Sequence, residues 1–427
     1  MIEEGMLHRL RVQRLKSLRD VTVELGQLNI VFGPNAAGKS NLLESLVLLS
    51  RLVQERTLAD AFGSGIRGYP VEAFSFGEDG IEGLMAQQEA SLRLEAQLSG
   101  ARKGSLEYHV EVGMRPQTGD LFLLDERLRR LNKDGSAKGN AAIEQVDRGE
   151  GGPRLAIRRK GGPNHPYEER LGIHHTLVSN LQYSGEERYP DFDNLREEVG
   201  AWRVVYLDPR EVMRRAQPPR EVNDIGERGE HLVPFLHRLG AGEEHKKVLA
   251  AIIRGVRAVI PSIESLETAL VRVRGEIDLR VRQDGIWMSS RVISEGTLRV
   301  IALCAMAANP FTSGLIAFEE PENGVHPRRI ESITKILASA AQRRQVVVTT
   351  HSPLVVGEVI RMLRSKELDE ASVRLLHCSG GPDGTIVETF VPHGPLFDDR
   401  AIAQSLLSTD DDSLKIQAAL TRGWLDG

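Results

Sequence analysis

The sequence predicts an α/β core that is split along the chain and interrupted by an inserted antiparallel β-sheet and a helical lobe. Three observations predict it. A buried strand, a glycine-rich turn and an apolar helix follow one another over 27–54. Strands alternate with helices again only after about 290. Between these ends, residues 91–159 carry a period of two broken by turn signals such as "SGARKG" and "KDG". The expected units are 1–55, the first part of the core; 56–160, the inserted β region; 161–289, the helical lobe; and 290–427, the second part of the core with a C-terminal segment.

Taken in order, "LHRLRVQRLKSLRDVTVEL" alternates as two strands of a hairpin, and "QLNIVFG" reads as a buried strand. "KSNLLESLVLLSRLVQ" (39–54) has helical spacing, while 56–80, rich in glycine and aromatics, reads as a loop. From 165 to 270 the pattern is mostly helical, interrupted by the strand-like "WRVVYLDP". Strand character returns over 269–289, followed by a helix over 296–308, buried strands at 315–318 and 345–350, and a helix between those strands. "STDDDS" (408–413) reads as a helix start. No tandem repeat and no long heptad pattern is seen.

Bulk properties narrow the class. The chain has 427 residues, 41% apolar and 27% charged, which predicts a globular protein of more than one lobe. A net charge of −5 announces no nucleic-acid binder by itself. Cys304 and Cys378 form no CxxC pair, which argues against a zinc site or a disulfide framework. The longest apolar run, Val300 to Ala308, is too short to span a bilayer, and the start lacks the pattern of a signal peptide. A cytoplasmic location without membrane contact is the expectation.

"GPNAAGKS" fits the phosphate-binding P-loop pattern in its required context, between strand and helix. Gly33, Pro34, Asn35, Ala36, Ala37, Gly38, Lys39, Ser40 and Asn41 are the candidate ATP contacts. Glycines let the backbone N–H groups face phosphate, and the helix N-terminus favours anions. Lys39 is expected on the β- and γ-phosphates and Ser40 on Mg²⁺. "LIAFEEPENGVHP" ends an apolar strand in adjacent carboxylates, the Walker B pattern. By position, Glu319 is the Mg²⁺ carboxylate and Glu320 the base that activates water. Ser294 and Gly296 of "SEGTLRV" open a helix and make a second anion site. His351 of "TTHSP" follows a buried strand, where an imidazole can meet a γ-phosphate.

Together these four elements resemble the ATPase head of the ABC class. More narrowly, they are similar to the RecF/SMC/OLD-like branch of bacterial AAA family ATPases. The resemblance implies a P-loop NTPase of ABC type with ATP and Mg²⁺ as cofactors and hydrolysis as its activity. It also implies a homodimer that forms on ATP. In it, Ser294 and Gly296 of one subunit contact the nucleotide held by Lys39 of the other, and His351 is the switch histidine. Asn323, Gly324 and His326 fall in the loop that crosses between subunits. Glu319 stands where the branch usually has aspartate. The branch also has a glutamine coupling nucleotide to the insertion; Gln87, Gln88 and Gln182 are all candidates.

The insertion lacks the long coiled coil of chromosome-organising relatives and the CxxC of the zinc-hook repair ATPase. The 76 residues after His351 show no pair of Toprim-like acids, so nuclease activity is not expected. Arg127 to Lys160 holds ten Lys/Arg against four Asp/Glu, a candidate DNA footprint. The expected role is a switch acting on nucleic acid or on a separate nuclease or toxin effector, in phage defence or genome maintenance. A RecF-like repair mediator and an ATP-gated clamp with negligible turnover remain alternatives. A P-loop kinase would leave "SEG" and "TTHSP" unexplained.

Overall fold

The computed structural model describes residues 5–63, 66–99, 104–147, 152–162 and 166–391. The expected helix start at 408–413 lies outside these described residues. The chain begins with β1 (Leu7–Leu15), β2 (Leu18–Glu24), β3 (Leu28–Phe32) and α1 (Lys39–Gln54). Next come α2 (Leu58–Gly63), α3 (Gly80–Met85), β4 (Ala90–Leu98), β5 (Ser105–Arg115), β6 (Asp120–Leu131), β7 (Ala137–Asp147), β8 (Pro153–Ile157) and β9 (Tyr167–Arg170). The middle holds α4 (Pro190–Gly200), β10 (Arg203–Val205), α5 (Leu232–Ala241) and α6 (Lys246–Val259). A meander of β11 (Ile263–Val271), β12 (Glu276–Gln283) and β13 (Ile286–Ser289) leads to α7 (Glu295–Ala307). The last described elements are β14 (Ile316–Glu319), α8 (Ile330–Ala341), β15 (Val346–Thr350), α9 (Pro353–Arg364), β16 (Val373–Gly381) and β17 (Gly384–Thr389).

A six-stranded sheet in the order β10-β14-β15-β3-β16-β17 forms the centre. Its first five strands run parallel, and β17 returns antiparallel as a hairpin on β16. The alternation along these strands sorts side chains to two cores. Val31, Ala317 and Val347 face a core shared with α1 and the large antiparallel sheet. Ile30, Phe32, Ile316, Phe318 and Val348 face a second core built with α5 to α9 and the β11–β13 meander. Both faces are covered, which is why these strands read as continuous apolar runs.

The antiparallel sheet has eight strands in the order β2-β1-β4-β5-β6-β7-β8-β9. The N-terminal hairpin is thus continuous with the inserted strands, through pairs such as Val12 with Leu94. Leu92, Leu94 and Ala96 of β4 and Tyr108, Val110 and Val112 of β5 point into the core, and charged residues alternate with them.

Two local expectations need correction. The stretch 56–80 is not a plain loop: it holds α2, a 3₁₀ turn at Pro70–Ala73 and the first residue of α3. Each piece is too short to show a helical period. They are anchored by Phe62 and Phe74, fully buried, with ring centroids 5.8 Å apart and planes at 11°. The helical reading of 165–270 holds for α4, α5 and α6, but β9 is a four-residue edge strand of the large sheet, and β11 already starts at Ile263, before the expected return of strand character at 269.

Candidate functional site

Three adjacent strands of the central sheet, β14, β15 and β3, end on the same side because they run parallel. Their register pairs Glu319 with Thr349 and Thr350 with Phe32. The residues that follow each strand, Glu320, His351 and Gly33, therefore gather at one edge. In open α/β sheets, ligands bind in this position, beyond the carboxyl ends of the strands.

The loop after β3 has the backbone that its sequence requires. Gly33 has φ 151° and Gly38 has φ 94°. A Cβ on Gly33 would stand 2.0 Å from the Cys378 carbonyl oxygen, and one on Gly38 would stand 2.0 Å from Thr385 Oγ1. Neither position tolerates a side chain. Ala36 also takes a positive φ, 65°. Lys39 is buried and donates to the carbonyls of Gly33 and Pro34, each at 2.7 Å. Burial lowers its pKa, opposed by the charges of Glu320, Cys378, Glu322 and Glu319. Asn41 donates to Ser17 Oγ at 2.7 Å, which ties α1 to the β1–β2 turn.

Ser40 Oγ donates to Glu319 Oε1. β14 lies two strands from β3, roughly 10 Å at ordinary strand spacing, so the longer reach of glutamate suits this contact. Glu320 has φ 44°, a left-handed conformation unusual for a residue with a side chain. Its carboxylate faces the His351 Nδ1 at 3.0 Å and accepts from Asn323 Nδ2 at 2.7 Å. Burial pushes the Glu320 pKa up. The hydrogen bonds from His351 and Asn323, with the His351 and Lys39 charges, outweigh it and hold the group below its ordinary value. Glu322 behaves differently: buried and bonded by the Thr350 hydroxyl, it is raised, chiefly by desolvation.

Ser294 caps α7, its Oγ accepting from the Thr297 amide at 3.1 Å. Gly296 packs on the loop after the acidic strand end: a Cβ there would lie 2.2 Å from the Gly324 carbonyl oxygen. Only glycine allows that approach. Among the described residues no hydrogen bond links Ser294 to the loop after β3. The structure therefore brings Lys39, Ser40, Glu319, Glu320 and His351 together, and seats Gly296 against Gly324, next to the Asn323 that bonds Glu320. His326 caps the next turn, its Nδ1 facing the Arg328 amide at 3.3 Å. Gln87 and Gln88 are exposed before β4, and Gln182 lines a separate cleft with Tyr167 and Tyr183.

Sequence reasoning missed a second set of charges. Glu44, one helical turn beyond Ser40, is fully buried and held by Lys16 and Arg67. Lys16 also donates to the Arg67 carbonyl at 2.9 Å. Burial works against the Arg67 charge, but Glu44 wins and raises its pKa, with Glu319 and Tyr206 contributing. Arg67 thus stands near the Ser40–Glu319 pair. The Tyr206 hydroxyl is buried without a hydrogen-bond partner among the described residues. The available signal was weak: Glu44 shares a helix face with Ser40, but Arg67 comes from a segment without periodicity.

The donor set fits a Mg²⁺–nucleotide. A hydroxyl and one carboxylate are ligands Mg²⁺ takes together with phosphate and water. The cradle of Gly33 and Gly38, which a Cβ would fill, is the shape a phosphate chain needs.

A family model described as "AAA domain, putative AbiEii toxin, Type IV TA system" matches residues 28–357. The chain belongs to this family. Solved structures show the same fold at low identity. An SMC head bound to the C-winged helix domain of ScpA is 11% identical, with a TM-score of 0.52, covering 90% of this chain and 98% of that one. An Smc head with an extended coiled coil, bound to the C-terminal domain of ScpA derived from Pyrococcus furiosus, is 10% identical. Its TM-score is 0.50, and the match covers 94% of this chain and 99% of that one. No curated protein matches. This AAA-family chain therefore has the fold of those SMC heads. Among its described residues no helix is long and apolar enough to cross a membrane.

Proposed function

We propose that this chain binds and hydrolyses ATP, pairs with a second copy around the nucleotide, and works as a cytoplasmic switch. The observation that carries the reading is the convergence of Lys39, Ser40, Glu319, Glu320 and His351 at the ends of three adjacent strands.

Each residue then has a task. Lys39 exchanges the Gly33 and Pro34 carbonyls for phosphate oxygens. Ser40 and Glu319 would hold Mg²⁺, which supplies charge neutralisation on the phosphates when bound. Glu320, kept ionised by His351 and Asn323, accepts a proton from the attacking water. His351 orients Glu320 through Nδ1, at the edge where the terminal phosphate would lie. Ser294 and the free N–H groups of α7 present an anion site to the nucleotide of a second copy.

The switch would act on nucleic acid or on a separate effector, a nuclease or toxin, in phage defence or genome maintenance. The toxin–antitoxin wording of the family description supports the effector arm. The test is Glu320→Gln. ATP turnover should fall by roughly a hundredfold or more, the scale of general-base loss, while ATP affinity holds and a dimer accumulates in light scattering. Turnover unchanged in this variant would sink the assignment of Glu320. Negligible turnover in the unaltered protein would favour an ATP-gated clamp. ATPase stimulated by DNA and suppressed steeply by salt would favour a RecF-like mediator.

A further inference from the structure

Among the described residues of the basic stretch 127–160, several cations are already paired. Arg129 is paired with Glu107 at 2.7 Å, Arg130 with Asp191 at 2.7 Å, and Arg158 with Glu144 at 2.5 Å. Such pairs leave little charge for a ligand. Four other cations gather instead around one cleft of about 380 Å³. Lys138 comes from β7, Arg159 and Lys160 follow β8, and Arg188 precedes α4. None of the four has a carboxylate partner among the described residues. The Lys160 amide bonds the Arg188 carbonyl at 2.8 Å, which fixes the two segments side by side. The acid lining this cleft among the described residues is Asp191, already paired with Arg130; Glu144 is paired with Arg158, Glu186 and Glu187 precede Arg188 in sequence, and Glu169 meets the Tyr167 hydroxyl of the adjoining cleft.

A second cleft of about 550 Å³ shares Arg158, Arg159 and Tyr189 with the first. It adds Tyr167 and Tyr183. Tyr167 is 58% exposed, leaving one ring face open to solvent, and its hydroxyl donates to Glu169 Oε2 at 3.4 Å. The ring leans on the buried Tyr183, centroids 6.4 Å apart, and Tyr183 in turn meets Tyr189 at 5.6 Å. An exposed aromatic face on a rigid aromatic base, beside unpaired cations, is the combination that nucleotides use. Cations take the phosphates and the ring takes the base. An acidic peptide would need only the cations.

We propose that these joined clefts bind a nucleotide unit, phosphate against Lys138, Arg159, Lys160 and Arg188, base against Tyr167. This deepens the nucleic-acid arm of the reading above and rests on it. The occupant is a single strand or a free nucleotide, since both present the same chemistry.

The test uses the full chain, fluorescein-labelled oligodeoxythymidylate and anisotropy, with ATP affinity measured on every variant. The unaltered protein should bind the strand. Tyr167→Ala should weaken binding roughly tenfold without changing its salt dependence. Lys160→Ala should lower the slope of log affinity on log salt by about 0.7, one phosphate contact on a single strand. Arg159→Glu with Arg188→Glu should abolish binding. Competition by dTMP at nucleotide-equivalent concentration assigns the site to a free nucleotide; its failure assigns the strand. No binding of either probe overturns the proposal. So does displacement by polyglutamate together with indifference to Tyr167→Ala. ATP affinity retained in Lys39→Ala would defeat the ATPase reading and leave the cleft standing. Flat anisotropy with intact ATP turnover would defeat the cleft alone.

Discussion

Glu320 holds a left-handed backbone conformation at φ 44°, a cost of about 1–3 kcal/mol for a residue with a side chain. The surrounding bonds sustain it: its amide donates to the Thr349 carbonyl at 2.9 Å, and its carboxylate meets Asn323 and His351. The turn aims the carboxylate into the site while Glu319, one residue earlier, stays in strand register and reaches Ser40. Two neighbouring acids thereby face different groups. The pKa direction gives a test. Burial would raise Glu320, and His351 is the first of the groups that lower it. A base works only when ionised, so the acid limb of the turnover profile follows this pKa. His351→Ala removes the lowering contact, and the acid limb should move to higher pH, with kcat reduced even on the plateau. A pH–rate profile of the two proteins checks this; an unmoved limb would mean that His351 does not set the charge of Glu320.

At the scale of elements, the junction between the large sheet and α1 depends on one buried acid. Glu126 of β6 is wholly buried and accepts from the Val178 amide at 3.1 Å, the Leu177 amide at 2.5 Å and the Tyr108 hydroxyl at 2.9 Å. Thr176, just before them, donates to the Leu52 carbonyl of α1 at 2.6 Å. Burial pushes Glu126 from 4.5 up to about 7, against those three hydrogen bonds. The folded state therefore holds this proton more tightly than the unfolded one. Its contribution to stability is complete below about 4.5 and is lost as pH rises through about 7. Glu126→Gln cannot titrate, so the melting temperature of the unaltered protein should fall relative to this variant between those pH values. Melting temperatures of the two proteins measured across that range should diverge as pH rises; lines that stay parallel would refute it.

Much of this architecture was legible because apolar pattern and burial agree. β3, β14 and β15 are runs of Val, Ile, Leu and Phe covered on both faces, and they read as buried strands. What escaped was short or non-local. β9 has four residues, and α2 has six, below the length at which a period appears. The pairing of β1 with β4 joins residues about 80 apart, which no local pattern encodes. Within the candidate site, Lys39 and Ser40 were readable from their fixed loop. Arg67 and Tyr206 were not, because only the fold carries them to Glu319.

On the scale of the whole molecule, the start of α7 is where the proposed contact with a second copy would fall. Ser294 and Gly296 sit at the start of α7 with Gly296 against the Gly324 carbonyl, and Asn323 beside Gly324 bonds Glu320. Any contact made by Ser294 on a second copy would therefore press on the loop that also holds the Glu320 carboxylate, the proposed base. Assembly and hydrolysis would share one short path, Ser294 to Gly324 to Glu320. Ser294→Arg tests this at its start. The N-cap changes from a small acceptor to a long cation, which costs the helix about 1 kcal/mol and fills the face offered to a partner. ATP affinity of the monomer should remain within a few fold, because Lys39 and Ser40 are untouched. ATP-dependent dimerisation in light scattering and turnover should disappear together. Dimers that persist with turnover intact would remove Ser294 from the interface. Loss of ATP affinity as well would make this serine a structural cap for the fold.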